Sequence, residues 1–194
     1  MKLIFIAHSE KPVPAPVFYL KPDTALLRSG HPFFHPDFTH DLRAGLALVF
    51  RISRLGRSIR AAFAARYFDA VGLGLSMTAH DLLAQCARQG LPQDCARAFD
   101  FAAPLGAEFI PLAGLGAIGQ CRFGLSLNGE LRCADASCFR HSVEEAIAHV
   151  SQFLTFRMGD YLFLQTSLAT ATLHAGDELR ASLNGTEMLK MRIC

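Results

Sequence analysis

His8, Ser9 and Glu10 stand together near the N-terminus, where an imidazole and a carboxylate can share a proton as an acid/base dyad. His31 and His35 lie four residues apart, a spacing that brings two imidazoles to one metal on a helix. Pro32 and Pro36 oppose a helix there, so the two histidines read as loop residues. The carboxylates are scattered along the chain, and the adjacent pair Glu144-Glu145 falls at a helix start, where it faces solvent. No G-x-S-x-G marks a serine nucleophile, and no G-x-x-x-x-G-K-[ST] forms a phosphate loop. Gly72-Leu73-Gly74 and Gly114-Leu115-Gly116 lack the remainder of a dinucleotide fingerprint. Cys86, Cys95, Cys121, Cys133, Cys138 and Cys194 form no C-x-x-C pair and read as free thiols.

Composition narrows the classes further. The chain has 194 residues, 51% of them hydrophobic, with a mean hydropathy of +0.25, which excludes a largely disordered polypeptide. Nineteen Lys and Arg oppose seventeen Asp and Glu, a net charge of +2 that is too balanced for a nucleic-acid field. The apolar run Leu3 to Ala7 is shorter than a signal-peptide core, and no stretch approaches a membrane span. These features lead to the expectation of a cytoplasmic chain with neither nucleic-acid nor membrane partners.

The elements that must position any site are mostly short strands. Met1 to Ala7 reads as a buried strand, Val17 to Leu20 as another, and Leu46 to Ile52 as a third. Val71 to Met77 is apolar with two glycines, and Thr78 with Asp81 predicts a helix start, the helix running to about Gln89 and stopping at Gly90. Alternation through Phe123, Leu125 and Leu127 before Asn128-Gly129 predicts a hairpin, and Asn184-Gly185 predicts a second one between Glu178 to Leu183 and Thr186 to Ile193. Ser142 and Glu145 make a capping box for a helix from Val143 to about Phe156, followed by a buried strand Tyr161 to Gln165. The expected fold is therefore one α+β domain, residues 1–194, dominated by sheet, with two or three helices and no βαβ repeat.

Several segments together resemble the fumarylacetoacetate hydrolase family, in particular its short single-domain members acting on acylpyruvates and 2-oxo acids. They include Pro16 to Asp23, Arg51 to Arg57, Thr78-Ala79-His80-Asp81-Leu82, Ala98-Phe99-Asp100, Leu127 to Glu130, Val143 to Thr155 and Gly159 to Phe163. The resemblance implies a β-rich, curled mixed sheet around a Mg²⁺ or Mn²⁺ site that polarises an oxo-carboxylate, and a dimeric assembly. Such a family site uses a Glu-x-Glu pair and a later Asp. Those positions are occupied here by Gly45, Ala47 and Ser76, so the metal is expected to be absent.

The same resemblance places the substrate pocket at Lys21, Asp81, Arg97, Gln165 and Thr166, with Arg97 replacing a family lysine. The N-terminal loop is about ten residues shorter than in the family, and His8 and Glu10 stand as its remnant. The expectation is a family member without metal-dependent hydrolysis or C–C cleavage, a binding protein or partner subunit pairing with itself or with a related chain. The alternative is a metal-independent hydrolase, decarboxylase or isomerase of a small oxo acid, in which Arg97 clamps the carboxylate and His80 or His8 moves protons.

Overall fold

The computed structural model describes residues 1–9 and 11–194. The strands and helices, in chain order, are β1 (Leu3–Ile6), β2 (Phe18–Lys21), β3 (Leu26–Arg28), β4 (Leu42–Ile52), α1 (Ala61–Ala64), β5 (Phe68–Ala79), α2 (His80–Gln89) and α3 (Asp94–Arg97). There follow β6 (Ala103–Leu105), β7 (Ile110–Pro111), α4 (Leu112–Leu115), β8 (Arg122–Leu127), β9 (Glu130–Asp135), α5 (Val143–Phe153), β10 (Tyr161–Ala169), β11 (Glu178–Leu183) and β12 (Thr186–Arg192). An eight-stranded mixed sheet runs β2-β1-β10-β4-β5-β6-β3, with β7 also on β5, and a four-stranded sheet runs β12-β11-β8-β9. The pairs β1/β10 and β3/β6 are parallel and the others antiparallel, and the β1/β10 pair joins strands from opposite ends of the chain inside the large sheet. One hydrophobic cluster extends from Leu3 to Ile193.

Local chemistry explains the elements that the sequence marks most clearly. Asn128 and Gly129 sit at φ 53 and 89, and Asn184 and Gly185 at φ 52 and 84, the left-handed pairs that a two-residue hairpin turn requires. The Ser142 hydroxyl accepts from Glu145 N, and Ser142 N donates to the Glu145 carboxylate at 2.8 Å, completing the capping box of α5. Val143, Ala146, Ile147 and Val150 then bury one stripe of that helix.

Several boundaries differ from the expectation for physical reasons. Thr78 does not cap α2: it lies in β5 opposite Arg43, the strand runs on to Ala79, and the helix starts at His80 with no side-chain cap. Helix α5 stops at Phe153, because Leu154 is extended and Phe156 pairs with Gly56. Strand β10 continues past Gln165 to Ala169, through a register shift against β4. Beyond the two long helices α2 and α5, α1, α3 and α4 are single turns of four residues each, which carry too little periodicity to be read from sequence.

Candidate functional site

Strand register gathers one set of side chains on one face of the large sheet. Tyr19 pairs with Phe5, Phe5 with Phe163, Gln165 with Ala47, and Gly45 with Ser76, and a period of two keeps Lys21 on the Tyr19 face. The aromatic members stack: Phe5 and Phe163 lie 4.2 Å apart at 18°, and Phe5 and Tyr19 lie 5.3 Å apart at 14°. Such stacking adds about 1 kcal/mol per pair beyond burial and fixes the Tyr19 ring. Glycine at position 74 permits it, since a Cβ there would stand 2.6 Å from Phe163 Cε1. The Arg97 guanidinium covers the outer face of the stack, 4.7 Å from the Tyr19 centroid.

The Tyr19 phenol reaches Ser76, one of the positions at which the resemblance expects a metal ligand. Its hydroxyl hydrogen-bonds Ser76 Oγ at 2.9 Å and donates to Gln165 Oε1 at 3.4 Å, while Gln165 Nε2 overhangs Gly45, 3.4 Å from where a Cβ would be. Burial pushes the Tyr19 phenol above its ordinary range, so it is neutral near pH 7. A hydroxyl, a phenol and a carboxamide supply no anion. A hard divalent ion needs carboxylate oxygens to replace its hydration shell, and this donor set does not fit one. Among the described residues no group of three or more His, Cys, Asp or Glu could hold a metal ion.

Positive charge surrounds the same cluster. Lys21 is buried, with Nζ donating to Met77 O at 2.8 Å and Ala102 O at 2.7 Å and lying 4.8 Å from the Phe5 centroid. Burial first, and Arg97 second, hold the Lys21 amine well below its ordinary range. His80 opens α2 beside the site, and burial, Arg43 and Arg97 lower its imidazole despite the opposing fields of Asp41 and Asp81. Among the described residues, neither Lys21 nor Arg97 pairs with a carboxylate, and no hydrogen bond ties the Arg97 guanidinium. The Arg97 guanidinium, which no carboxylate among the described residues neutralises, is the cation beside this polar cluster, while the Lys21 amine is engaged by two backbone carbonyls.

Other candidate positions are drawn elsewhere. Asp81 latches the start of α2, accepting from Thr39 Oγ1, from His40 N at 3.0 Å and from Leu82 N at 2.9 Å. The Thr166 hydroxyl donates to Leu46 O at 3.0 Å and accepts from Leu168 N at 3.1 Å, fixing the irregular part of β10. His8 borders a narrow crevice with Gln165 and opens on a cleft of 430 Å³ lined with Asp135, Ser137, Cys138, Arg140 and Ser167. Glu10, and with it the expected pairing with His8, lies outside the described residues. His31 is exposed, and the His35 ring instead meets Pro36 O at 3.1 Å.

Tyr19 is the functional residue that motif reading passed over. Its signal was present, two residues before Lys21 on a strand and so on the same face.

The fold is β-rich, and one face of its mixed sheet carries the Tyr19–Ser76–Gln165 cluster beside Arg97. The family model described as "Fumarylacetoacetate (FAA) hydrolase C-terminal" matches residues 4–194, and the chain belongs to this family. The Bos taurus and Homo sapiens proteins named oxaloacetate tautomerase FAHD1, mitochondrial, are each 30% identical over 179 residues, 92% of this chain and 80% of the relative. The Escherichia coli protein named oxaloacetate tautomerase YcgM is 29% identical over 172 residues, 88% of this chain and 78% of its own length.

A fumarylpyruvate hydrolase from Pseudomonas aeruginosa, solved with Mn²⁺ and pyruvate, shares the fold with a TM-score of 0.86 at 23% identity, over 99% of this chain and 88% of that one. No helix among the described residues is long and apolar enough to cross a membrane.

Proposed function

We propose that this chain binds a small 2-oxo acid between Arg97 and the Tyr19–Ser76–Gln165 cluster without a divalent ion, and that metal-dependent hydrolysis and C–C cleavage have been lost. The observation that carries this reading is the Arg97 guanidinium, stacked on Tyr19 with no carboxylate partner among the described residues, beside expected metal-ligand positions that hold Gly45, Ala47 and Ser76. In the family reaction the metal stabilises the charge that develops on the substrate carbonyl, and that term is usually the largest in such catalysis. Arg97 can hold a carboxylate here but does not replace a Lewis acid at the carbonyl. The protein then acts as a binding or partner subunit, cytoplasmic and paired with itself or with an active relative.

A second reading is favoured by the relatives named oxaloacetate tautomerase. Keto–enol exchange moves one proton from carbon to oxygen and needs an acid and a base, not bond cleavage. Near pH 7 the lowered His80 imidazole can accept a proton, and the neutral Tyr19 phenol can donate one. Both readings need the oxo acid to bind without metal.

The test is calorimetry with oxalate, an unreactive analogue, in excess EDTA, together with oxaloacetate turnover in the same buffer. Binding to the wild type that weakens at least about tenfold in Arg97→Ala supports the site. Turnover at the spontaneous rate supports the binding protein, and chelator-resistant turnover supports the tautomerase. Oxalate binding that appears only when Mn²⁺ is added overturns both readings.

A further inference from the structure

The two helical segments that carry His80 and Arg97 are joined by a feature that the oxo-acid site does not use. Cys86 lies in α2 and Cys95 in α3, and their Sγ atoms are 3.7 Å apart, in van der Waals contact. Between them the chain reverses tightly: Gly90 takes φ 65, Leu91 N donates to Cys86 O at 2.9 Å, and Pro92 follows. Cys86 is buried and Cys95 is exposed. An exposed thiol with a buried one behind it has the layout of an attacking and a resolving cysteine.

We infer that Cys86 and Cys95 form a reversible disulfide on exposure to a hydroperoxide, and that this bond tethers α3 to α2 and so controls the placement of Arg97. The Cys95 thiolate attacks the peroxide ROOH, giving the Cys95 sulfenic acid and releasing ROH after proton transfer. The Cys86 thiol then attacks the Cys95 sulfur, forming the S–S bond and releasing water. Two thiols and ROOH become one disulfide, ROH and H2O: the sulfurs lose two electrons and the peroxide gains them. Burial, with the neighbouring Cys95 thiol, pushes the Cys86 thiol up, which leaves the first step to the exposed cysteine, while contact at 3.7 Å brings Cys86 to the second.

Bond formation shortens the sulfur separation from 3.7 Å to about 2.0 Å, and the segment best able to move is α3, a single turn. Arg97 is two residues beyond Cys95 and is the last residue of that turn. Drawing the turn onto α2 changes the guanidinium's seat on Tyr19 and ties down the Arg97–Ala98 peptide.

The experiment treats the purified full chain with a slight excess of hydrogen peroxide, blocks remaining thiols and digests with trypsin without reductant. Arg88 lies between the two cysteines, so a disulfide links the peptide ending at Arg88 to the peptide ending at Arg97. The expected result is that linked pair, two hydrogens lighter than the sum of its parts, reversed by dithiothreitol and absent in Cys95→Ser. Brief native digestion is expected to cut after Arg97 at least threefold more slowly in the oxidised chain. A Cys95 sulfinic acid, a disulfide between two copies, or equal cutting of the two forms overturns the inference.

The effect on ligand rests on the oxo-acid reading and is followed separately, as a change of at least threefold in oxalate affinity on oxidation. If oxalate binds neither form while the linked peptide appears, the oxo-acid reading fails and the thiol pair stands. If oxalate binds but no linked peptide appears, only the thiol inference falls.

Discussion

Two polar clusters on the large sheet have kept very different chemistry. At the start of β10, Asp160 is 1% exposed and fully engaged, accepting from Lys2 N and Arg157 N at 2.8 Å each and pairing with Lys2 Nζ at 2.6 Å. Further along the sheet, the positions at which the family resemblance expects three metal carboxylates hold Gly45, Ala47 and Ser76, and Tyr19 bonds Ser76 and Gln165 beside them. The first carboxylate ties the entry of β1 to the entry of β10, so losing it would weaken that join. The others would face a metal, and without one three gathered anions would repel each other. On the proposed reading, an acid is retained where the fold needs its charge and absent where only a bound ion would have needed it.

That contrast can be reversed by putting the acids back. Gly45→Glu with Ala47→Glu and Ser76→Asp should create one Mn²⁺ site per chain, moving the dissociation constant from millimolar or weaker toward micromolar, about 4 kcal/mol by titration calorimetry. Binding unchanged from the wild type would show that the Tyr19–Gln165 bridge, not the missing acids, closes the place to metal.

Asp160→Ala breaks the other side of the comparison. It leaves the Lys2 ammonium and two backbone N–H groups unmatched and should cost about 3 kcal/mol, read as an earlier urea midpoint at constant slope. Tyr19→Phe removes only the hydroxyl that joins Ser76 to Gln165 and should cost about 1 kcal/mol in the same measurement. A larger loss from Tyr19→Phe than from Asp160→Ala would reverse the assignment of site and scaffold.

The smallest expected effect is a matter of pH. The Arg43 guanidinium and then the Thr172 hydroxyl hold Asp41 down to about 2, below the ordinary carboxylate range. Its native pKa is therefore lower than its unfolded one. The stability it contributes is complete above about pH 4 and disappears as pH falls through about 2. Asp41 is partly exposed, so melting curves of Asp41→Asn should differ from the wild type by about 1 kcal/mol at most at pH 5 and converge by pH 2.

The sequence made the hairpins legible because each turn needs two left-handed residues and Asn-Gly supplies them at low cost. Helix α5 was legible through its capping box and apolar stripe. The start of α2 was not, because Thr78-Ala79-His80-Asp81 looks like a cap while the strand ladder with β4 holds Thr78 extended. At the site, the residue types at positions 45, 47, 76 and 97 are plain in the sequence, whereas their neighbours in space are not.

The interior bridge was not legible. Tyr19, Ser76 and Gln165 come from three separated strands, and only the β2-β1-β10-β4-β5 order brings them together. Asp81 and Thr166 kept the family's residue types, yet their partners are Thr39, His40 and backbone groups, which no local pattern announces.

The most direct test of metal loss is titration of chelator-stripped wild-type protein with Mn²⁺, followed by calorimetry and by the manganese paramagnetic resonance signal. With only hydroxyl, phenol and carboxamide donors beside Arg97 and Lys21, the expected result is a signal that stays that of the free hexaaquo ion up to millimolar concentration. One manganese held per chain at micromolar affinity, and released in Ser76→Ala, would contradict it.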